Sequence, residues 1–319
     1  MNTESRVAVC SRSFSKNLVL RNELLTKYEN VTFNDSGVQL EGEELIKFLR
    51  GHDKAITALE TINDHVLSNL PELKIIGKYG VGLDMIDMVS MHKHGIRLGW
   101  VGGVNRRSVS ELVIALTINI LRHVVVANGE VLSGVWRQIM GGQLSGKTVG
   151  VIGCGHVGKD LIMMLQPFGC KVLVTDIVDY PDFYKRHNIN PVSLPDLMAN
   201  SDIVSIHVPL DKSTRGLLDK EMLSLMKPSA ILINVARGGL VNEGALKEML
   251  INKQLAGAAF DVFETEPPSD MELLALPNFF ATPHIGGSSE EAVIAMGRSA
   301  IKGVVEYAVP DMNSHGFYI

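Results

Sequence analysis

The segment from Lys147 to Asp176, KTVGVIGCGHVGKDLIMMLQPFGCKVLVTD, allows very few folds. Thr148 to Ile152 is a short, β-branched apolar run bounded by turn residues, the pattern of a buried strand. It enters Gly153-Cys154-Gly155-His156-Val157-Gly158, after which Leu161, Ile162 and Leu165 recur at helical spacing. A second apolar run, Lys171 to Thr175, follows and ends at Asp176. Strand, glycine turn, helix and strand form a βαβ unit, which commits the chain to a parallel sheet with helices on its faces.

Each glycine has a separate physical reason. Gly153 permits a tight turn, Gly155 lets backbone approach a pyrophosphate, and Gly158 lets the helix pack close to the strand. The first helical turn, opened by His156 and Val157, turns its N–H groups toward the place of an anion. A carboxylate at Asp176 can accept hydrogen bonds from both adenine-ribose hydroxyls and repels a 2′-phosphate, so the expected cofactor is NAD rather than NADP.

With 319 residues the chain can build two domains with sizeable cores. A net charge of −5, with both signs interspersed and no basic stripe interleaved with aromatics, argues against nucleic acid as a partner. Cys10, Cys154 and Cys170 are odd in number and lack metal or redox spacing, so reduced thiols are expected. The start MNTESRVAVC has no secretory h-region and no apolar run reaches the length of a membrane span. The expectation is a cytoplasmic protein with no membrane partner and no metal.

The first hundred residues alternate short apolar runs (Val7 to Cys10, Val31 to Phe33, Ala55 to Leu59, Leu73 to Gly77, Ile96 to Trp100) with amphipathic stretches. That alternation implies a small doubly wound parallel sheet of its own. Its fourth strand leads into Gly77-Lys78-Tyr79-Gly80-Val81-Gly82, a glycine-flanked loop whose N–H groups at Val81 and Gly82 suit a carboxylate, although a plain strand-to-helix turn explains the loop equally well. Trp100 to Val104 reads as a joint, and Ser108-Val109-Ser110-Glu111 as a capping box opening a helix to His123. That helix is apolar nearly all round, which implies burial between domains or subunits.

Beyond the glycine fingerprint the alternation continues through Ile203 to Val208, Ala230 to Val235, Ala256 to Asp261 and Phe279 to Thr282, six strands in all. The expected domains are 1–103 plus 288–319, and 104–287. Three strand-end loops carry titratable groups: Val235-Ala236-Arg237-Gly238-Gly239, Asp261 to Pro268, and Thr282-Pro283-His284-Ile285-Gly286-Gly287. Arg237 offers a planar fork to a carboxylate and an adjacent carbonyl oxygen. His284 suits proton donation near neutral pH, and Glu266 suits orientation of its imidazole. His207 reads as lying inside a strand and as structural or cofactor-lining.

Taken together, GKYGVGLDMID, SVSELVIALT, GKTVGVIGCGHVG, SIHVPLDKSTRGLLD, LINVARGGLVNEGAL, AAFDVFETEPP and TPHIGGSS resemble the D-isomer-specific 2-hydroxyacid dehydrogenases, from about Leu73 to Gly303. The likeness is strongest to the branch of phosphoglycerate dehydrogenases and hydroxypyruvate reductases. It implies an α/β protein of two doubly wound domains, a Rossmann NAD-binding domain and a smaller flavodoxin-like substrate domain, assembled as a homodimer.

By position, the resemblance makes Arg237 the binder of substrate carboxylate and carbonyl, Glu266 the partner of His284, and His284 the general acid. It places Asp261 on the nicotinamide carboxamide and Val235 and Ala236 along the ring. His207, Val208, Pro209, Thr214 and Gly286 become further cofactor-lining positions. Tyr79, Gly80, Val81, Gly82 and Asn105 become substrate contacts, the substrate being a small 2-oxo or 2-hydroxy acid. The arginines common in the phosphoglycerate enzymes are missing from Ile56-Thr57-Ala58-Leu59-Glu60, and the chain ends at Ile319 without the expected length for their regulatory domain. Arg106 and Arg107 stand where smaller residues are usual, which suggests a second anionic group on the substrate; solvated or cofactor-phosphate roles explain them as well. The alternative function is an NAD-sensing dimeric protein, similar to the family's corepressors, with little turnover.

Overall fold

The computed structural model describes residues 2–308 and divides into two compact units, residues 1–105 with 288–319 and residues 106–287. The expected end of the first domain at 319 therefore lies partly outside the described residues.

In the first unit, β1 (Asn2–Val9), β2 (Tyr28–Phe33), β3 (Lys54–Thr57), β4 (Ile75–Lys78) and β5 (Arg97–Gly99) form a parallel sheet in the order β2-β1-β3-β4-β5. This is the flavodoxin-like order, with its reversal point between β1 and β3. Both faces are covered. One core gathers Leu45, Ile46, Leu49, Ile62, Leu67 and Ile76; the other gathers Val7, Val9, Phe14, Leu20, Ile56 and Ile301. The second includes the Glu290–Gly303 helix, so the apolar stripe read near the end of the sequence covers the sheet of this unit. The short Arg12–Lys16 helix was not anticipated; Ser11 caps it by accepting from the Phe14 N–H, a local signal hidden between apolar runs.

The second unit holds β6 (Thr148–Ile152), β7 (Lys171–Thr175), β8 (Asn190–Pro191), β9 (Ile203–Ile206), β10 (Ile231–Asn234), β11 (Gly257–Phe260) and β12 (Phe279–Ala281). Their order is β12-β11-β10-β9-β6-β7-β8, all parallel. Seven strands replace the six expected, because the two-residue β8 at the edge contains a proline and has no apolar run to betray it. The central strands are buried on both faces, which is why they read as continuous apolar segments rather than alternating ones.

Two further expectations are corrected. The long helix spans Arg106–Arg122, so Ser108 lies inside its first turn rather than at its cap; its hydroxyl donates instead to the Gly286 carbonyl at 2.7 Å. Val109, Val113, Leu116 and Thr117 of this helix are buried within the unit. His207 lies just past β9, which ends at Ile206, and so belongs to the strand-end loop rather than to the strand.

Backbone in the first unit approaches backbone where the last helix crosses the sheet. A Cβ on Gly99 would lie 2.0 Å from the Gly303 carbonyl oxygen, and one on Gly77 would lie 2.6 Å from that of Ala300. Gly99→Ala is therefore expected to lower unfolding stability by about 2 kcal/mol or more, overpacking being costly where only backbone can move. Urea denaturation of wild type and variant checks this; an unchanged midpoint would show that the helix can retreat freely.

Candidate active site

In the second unit the strand order reverses at β6, whose neighbours are β9 and β7. Ligands bind outside the carboxyl ends of strands at such a reversal. The glycine turn occupies this place. Gly153 has φ +98°, a left-handed conformation, and a Cβ there would lie 2.6 Å from the His207 carbonyl oxygen of the neighbouring strand end. A Cβ on Gly158 would lie 2.0 Å from the Gly153 oxygen, so helix and turn touch through backbone. Gly155, N-cap of the His156–Leu165 helix, is different: no atom lies within 4 Å of where its Cβ would stand. The turn thus leaves open a place that a single methyl would fill, beside a helix N-terminus. That combination fits the pyrophosphate of a dinucleotide.

Asp176 ends β7 as expected, and its carboxylate also braces the turn. It accepts the Cys154 N–H at 2.5 Å and the Val178 N–H at 2.8 Å. Cys154 itself is buried, and desolvation pushes its thiol up to about 11, which keeps it protonated and unreactive at neutral pH. Beyond β9, His207 shares a 2.8 Å hydrogen bond between Nε2 and the Ser205 hydroxyl. The residue keeps some surface contact, yet its ring is enclosed closely enough that burial pushes its pKa down to about 3. It is a neutral imidazole across the physiological range. Val208 and Pro209 follow, and the Thr214 hydroxyl donates to the Pro209 carbonyl at 2.7 Å, closing this loop.

The loop after β10 is held by a residue that sequence reading missed. Asn234, 1% exposed, donates from Nδ2 to the Arg237 carbonyl at 2.8 Å and accepts the Ala236 N–H at 3.1 Å. Val235 is buried, Ala236 and Arg237 are half-buried, and the Arg237 guanidinium donates to the Ala236 carbonyl at 2.7 Å. The next residue, Gly238, brings this loop against the one after β11: a Cβ on it would lie 1.9 Å from the Phe263 carbonyl group. An asparagine closing an apolar strand is the signal that could have revealed Asn234.

Glu266 and His284 come together. His284 Nδ1 lies 2.8 Å from Glu266 Oε2, and Glu266 Oε1 accepts the Phe263 N–H at 3.1 Å. One carboxylate oxygen is fixed by backbone while the other fixes the ring, whose Nε2 has no such restraint. Both side chains remain accessible, 39% and 47% exposed. His284 has φ +54°, a left-handed conformation that costs a non-glycine residue about 1–2 kcal/mol. Such strain collects at functional sites. Asp261, 1% exposed, lies directly behind this turn and accepts the N–H groups of Ile285 and Gly286.

Arg106 and Arg107 open the Arg106–Arg122 helix and face Asp160, a buried residue of the His156–Leu165 helix. Arg107 donates to Asp160 Oδ1 at 3.0 Å, and Arg106 Nε lies 4.0 Å from the same oxygen. Asp160 is a second residue the sequence did not single out. Among the described residues no group of three or more His, Cys, Asp or Glu is placed to hold a metal ion.

The other candidate substrate residues belong to the first unit. Tyr79, at the carboxyl end of β4, is buried, and its hydroxyl accepts from Ser13 at 3.2 Å. The loop Gly80-Val81-Gly82 is pinned by the Trp100 indole N–H, which donates to the Val81 carbonyl at 3.0 Å. Asn105, 8% exposed, closes this unit.

Comparison with known proteins agrees with this geometry. Residues 114–286 match the D-isomer specific 2-hydroxyacid dehydrogenase, NAD binding domain. The chain is 35% identical over 274 residues to the glyoxylate reductase of Thermococcus litoralis, covering 83% of each. It is 36% identical over 249 residues to the D-3-phosphoglycerate dehydrogenase of Bacillus subtilis, of which it spans only 47%. Among solved structures, D-lactate dehydrogenase from Aquifex aeolicus, complexed with NAD and lactic acid, aligns with a TM-score of 0.81 at 27% identity, covering 95% of this chain and 94% of that one. The chain belongs to the D-isomer specific 2-hydroxyacid dehydrogenase family. Its class is therefore that of the NAD-dependent oxidoreductases of 2-hydroxy acids, and NAD is its cofactor.

The two glycines separate fold from binding. Gly155→Ala is expected to keep the melting temperature within about 2 °C of wild type, since no protein atom opposes its methyl, and to weaken NADH binding by about tenfold or more through loss of close approach. Gly158→Ala is expected to destabilise the protein itself by about 2 kcal/mol. Thermal melting together with NADH fluorescence titration checks both; equal behaviour of the two variants would refute the distinction.

Proposed function

We propose that this chain catalyses the reversible NAD-dependent interconversion of a small 2-oxo acid and its D-2-hydroxy acid, with Arg237, Glu266 and His284 as its catalytic residues. The observation that carries the reading is the 2.8 Å contact between Glu266 and His284 at the carboxyl edge of a sheet that also presents Arg237.

Glu266 holds Nδ1 of the imidazole, so the proton available for transfer is on Nε2, the nitrogen left to face a substrate carbonyl oxygen. In reduction His284 gives that proton to the oxygen, and in oxidation it takes it back. The adjacent carboxylate fixes the orientation of the ring that delivers the proton. Arg237, its loop tied down by Asn234, presents two parallel N–H donors to the substrate carboxylate and carbonyl oxygen, fixing the carbon to be reduced. The cofactor would be held by the turn of Gly153, Gly155, His156, Val157 and Gly158, by Asp176 at the ribose, and by His207, Val208, Pro209, Thr214, Val235, Ala236 and Gly286 along the strand ends. Bound NADH supplies the hydride. A neutral His207 adds no cation to compete with the nicotinamide's changing charge. Tyr79, Gly80, Val81, Gly82 and Asn105 are the substrate contacts of the first unit, and Arg106 and Arg107 are candidates for a second anionic group.

The active form is proposed to be a homodimer. The Val124–Leu132 helix buries no residue, and beside it Trp136 and Met140 are 86% and 94% exposed, with Leu132 at 80%. Val124, Val125, Val131 and Val135 are exposed as well, and a concentration of large exposed apolar side chains marks a surface that a partner covers. The three free cysteines support a reducing compartment, the cytoplasm.

His284→Asn is expected to lower kcat at least about 100-fold with NADH binding retained, measured as NADH oxidation with glyoxylate, hydroxypyruvate, pyruvate, 2-oxoglutarate and phosphohydroxypyruvate, with chiral analysis of products. Undiminished turnover would remove His284 from the reaction. An unchanged ratio of anionic to neutral substrates in Arg106→Ala and Arg107→Ala would remove the second-anion role. For assembly, Trp136→Glu with Leu132→Glu is expected to convert a dimer to monomer in sedimentation; a wild-type monomer at micromolar concentration would refute the dimer.

A further inference from the structure

The turn that bears His284 is organised around one buried side chain. Asp261 Oδ1 accepts the Thr282 hydroxyl at 2.5 Å and the Ile285 N–H at 2.8 Å, while Oδ2 accepts the Gly286 N–H at 2.7 Å. The main-chain carbonyl of the same residue accepts the His284 N–H at 2.9 Å. Asp261 therefore binds residues 282, 284, 285 and 286, on both sides of the histidine and at the histidine itself.

The left-handed conformation of His284 follows from this arrangement. For the N–H groups of Ile285 and Gly286 to converge on one carboxylate immediately after a chain that has donated from residue 284, the backbone must reverse its curvature at His284, which φ +54° does. Successive N–H groups turned to one side make an anion-binding concavity. Here the anion is supplied from within the fold. Asp261 is 1% exposed, and its backbone is fixed in turn by its own N–H donating to the Asn234 carbonyl at 2.9 Å. Behind the turn, the Ser108 hydroxyl holds the Gly286 carbonyl.

We infer that the Asp261 carboxylate is a positioning residue for catalysis: it holds the backbone of His284 in its left-handed turn and so sets the direction of the ring toward Glu266 and the substrate. The inference rests on the proposed role of His284 and adds to it. It differs from a cofactor contact, the role that the family resemblance gives Asp261, because three of the roughly four acceptor positions of a carboxylate are already used by this turn. A carboxylate spent on the cofactor and one spent on the turn have different kinetic consequences.

Asp261→Asn replaces one acceptor oxygen by an N–H₂ group that opposes either Gly286 or the pair Thr282 and Ile285. The expected result is a fall in kcat of about 100-fold, the scale of a misplaced catalytic group, while the dissociation constant of NADH stays within about threefold. Thr282→Val is the milder companion. It removes one hydroxyl donor at constant shape, and about a tenfold loss of kcat is expected with NADH binding unchanged. Thr282→Ser, which keeps the hydroxyl, is expected to restore wild-type kcat. Weakened NADH binding with kcat preserved at saturation would overturn the inference in favour of a cofactor contact, and so would full activity of Thr282→Val and Asp261→Asn together. A crystal structure of Thr282→Val or Asp261→Asn reads the turn directly. Residue 284 still left-handed and unmoved would refute the positioning role, even if wild type reduces no 2-oxo acid and the proposed activity itself fails.

Discussion

Backbone touching backbone at glycine is the constraint on which the second unit depends. The Gly153 turn lies beneath the His207 carbonyl, the first helical turn rests on the Gly153 oxygen through Gly158, and Gly238 meets the Phe263 carbonyl group. At each of these points a side chain would have to occupy space already filled by main chain, and main chain moves only by moving an element. Strand-end loops from β6, β9, β10 and β11 are thus set at fixed separations before any functional side chain is considered. The open position at Gly155 has meaning because its neighbours are closed.

A second layer of control is polar: Asn234, Asp261 and Asp160, all buried, and the partly buried Asp176 each spend their side chains on backbone N–H groups, a backbone carbonyl or an arginine of the same unit. Each sits within one or two elements of a group assigned to substrate or cofactor. The exposed residues, Glu266 and His284, do not hold themselves in place; Phe263 N–H and the Asp261 turn hold them. A buried polar group that loses its partner costs more than an exposed contact gains, so such anchors make the geometry stiff.

The legible parts of this molecule are those with a local cause. The βαβ unit around Gly153, the parallel strands, the two units and the titratable loops follow from apolar runs and glycine spacing within a few residues. The association of Glu266 with His284 was readable because strand ends of a parallel sheet must share an edge. What escaped reading depends on partners distant in sequence. Ser108 resembles a cap until Gly286, 178 residues away, takes its hydroxyl. Asp160 looks like an ordinary helical acid until Arg107 approaches it. β8 has two residues and a proline, too little to carry a pattern, and it exists only because β7 offers it an edge.

Asp176 joins two properties that are often treated as separable. Its position at the end of β7 is that of the acid proposed to discriminate between the two nicotinamide dinucleotides, while its oxygens also clamp the Cys154 and Val178 amides. Selectivity and scaffold are then one part. An engineer who exchanges this acid for a small or basic residue to welcome a 2′-phosphate also unlatches the turn that must cradle the diphosphate. Retargeting such a protein calls for a substitute latch, an acceptor introduced elsewhere for the Cys154 amide, before the preference itself is rewritten.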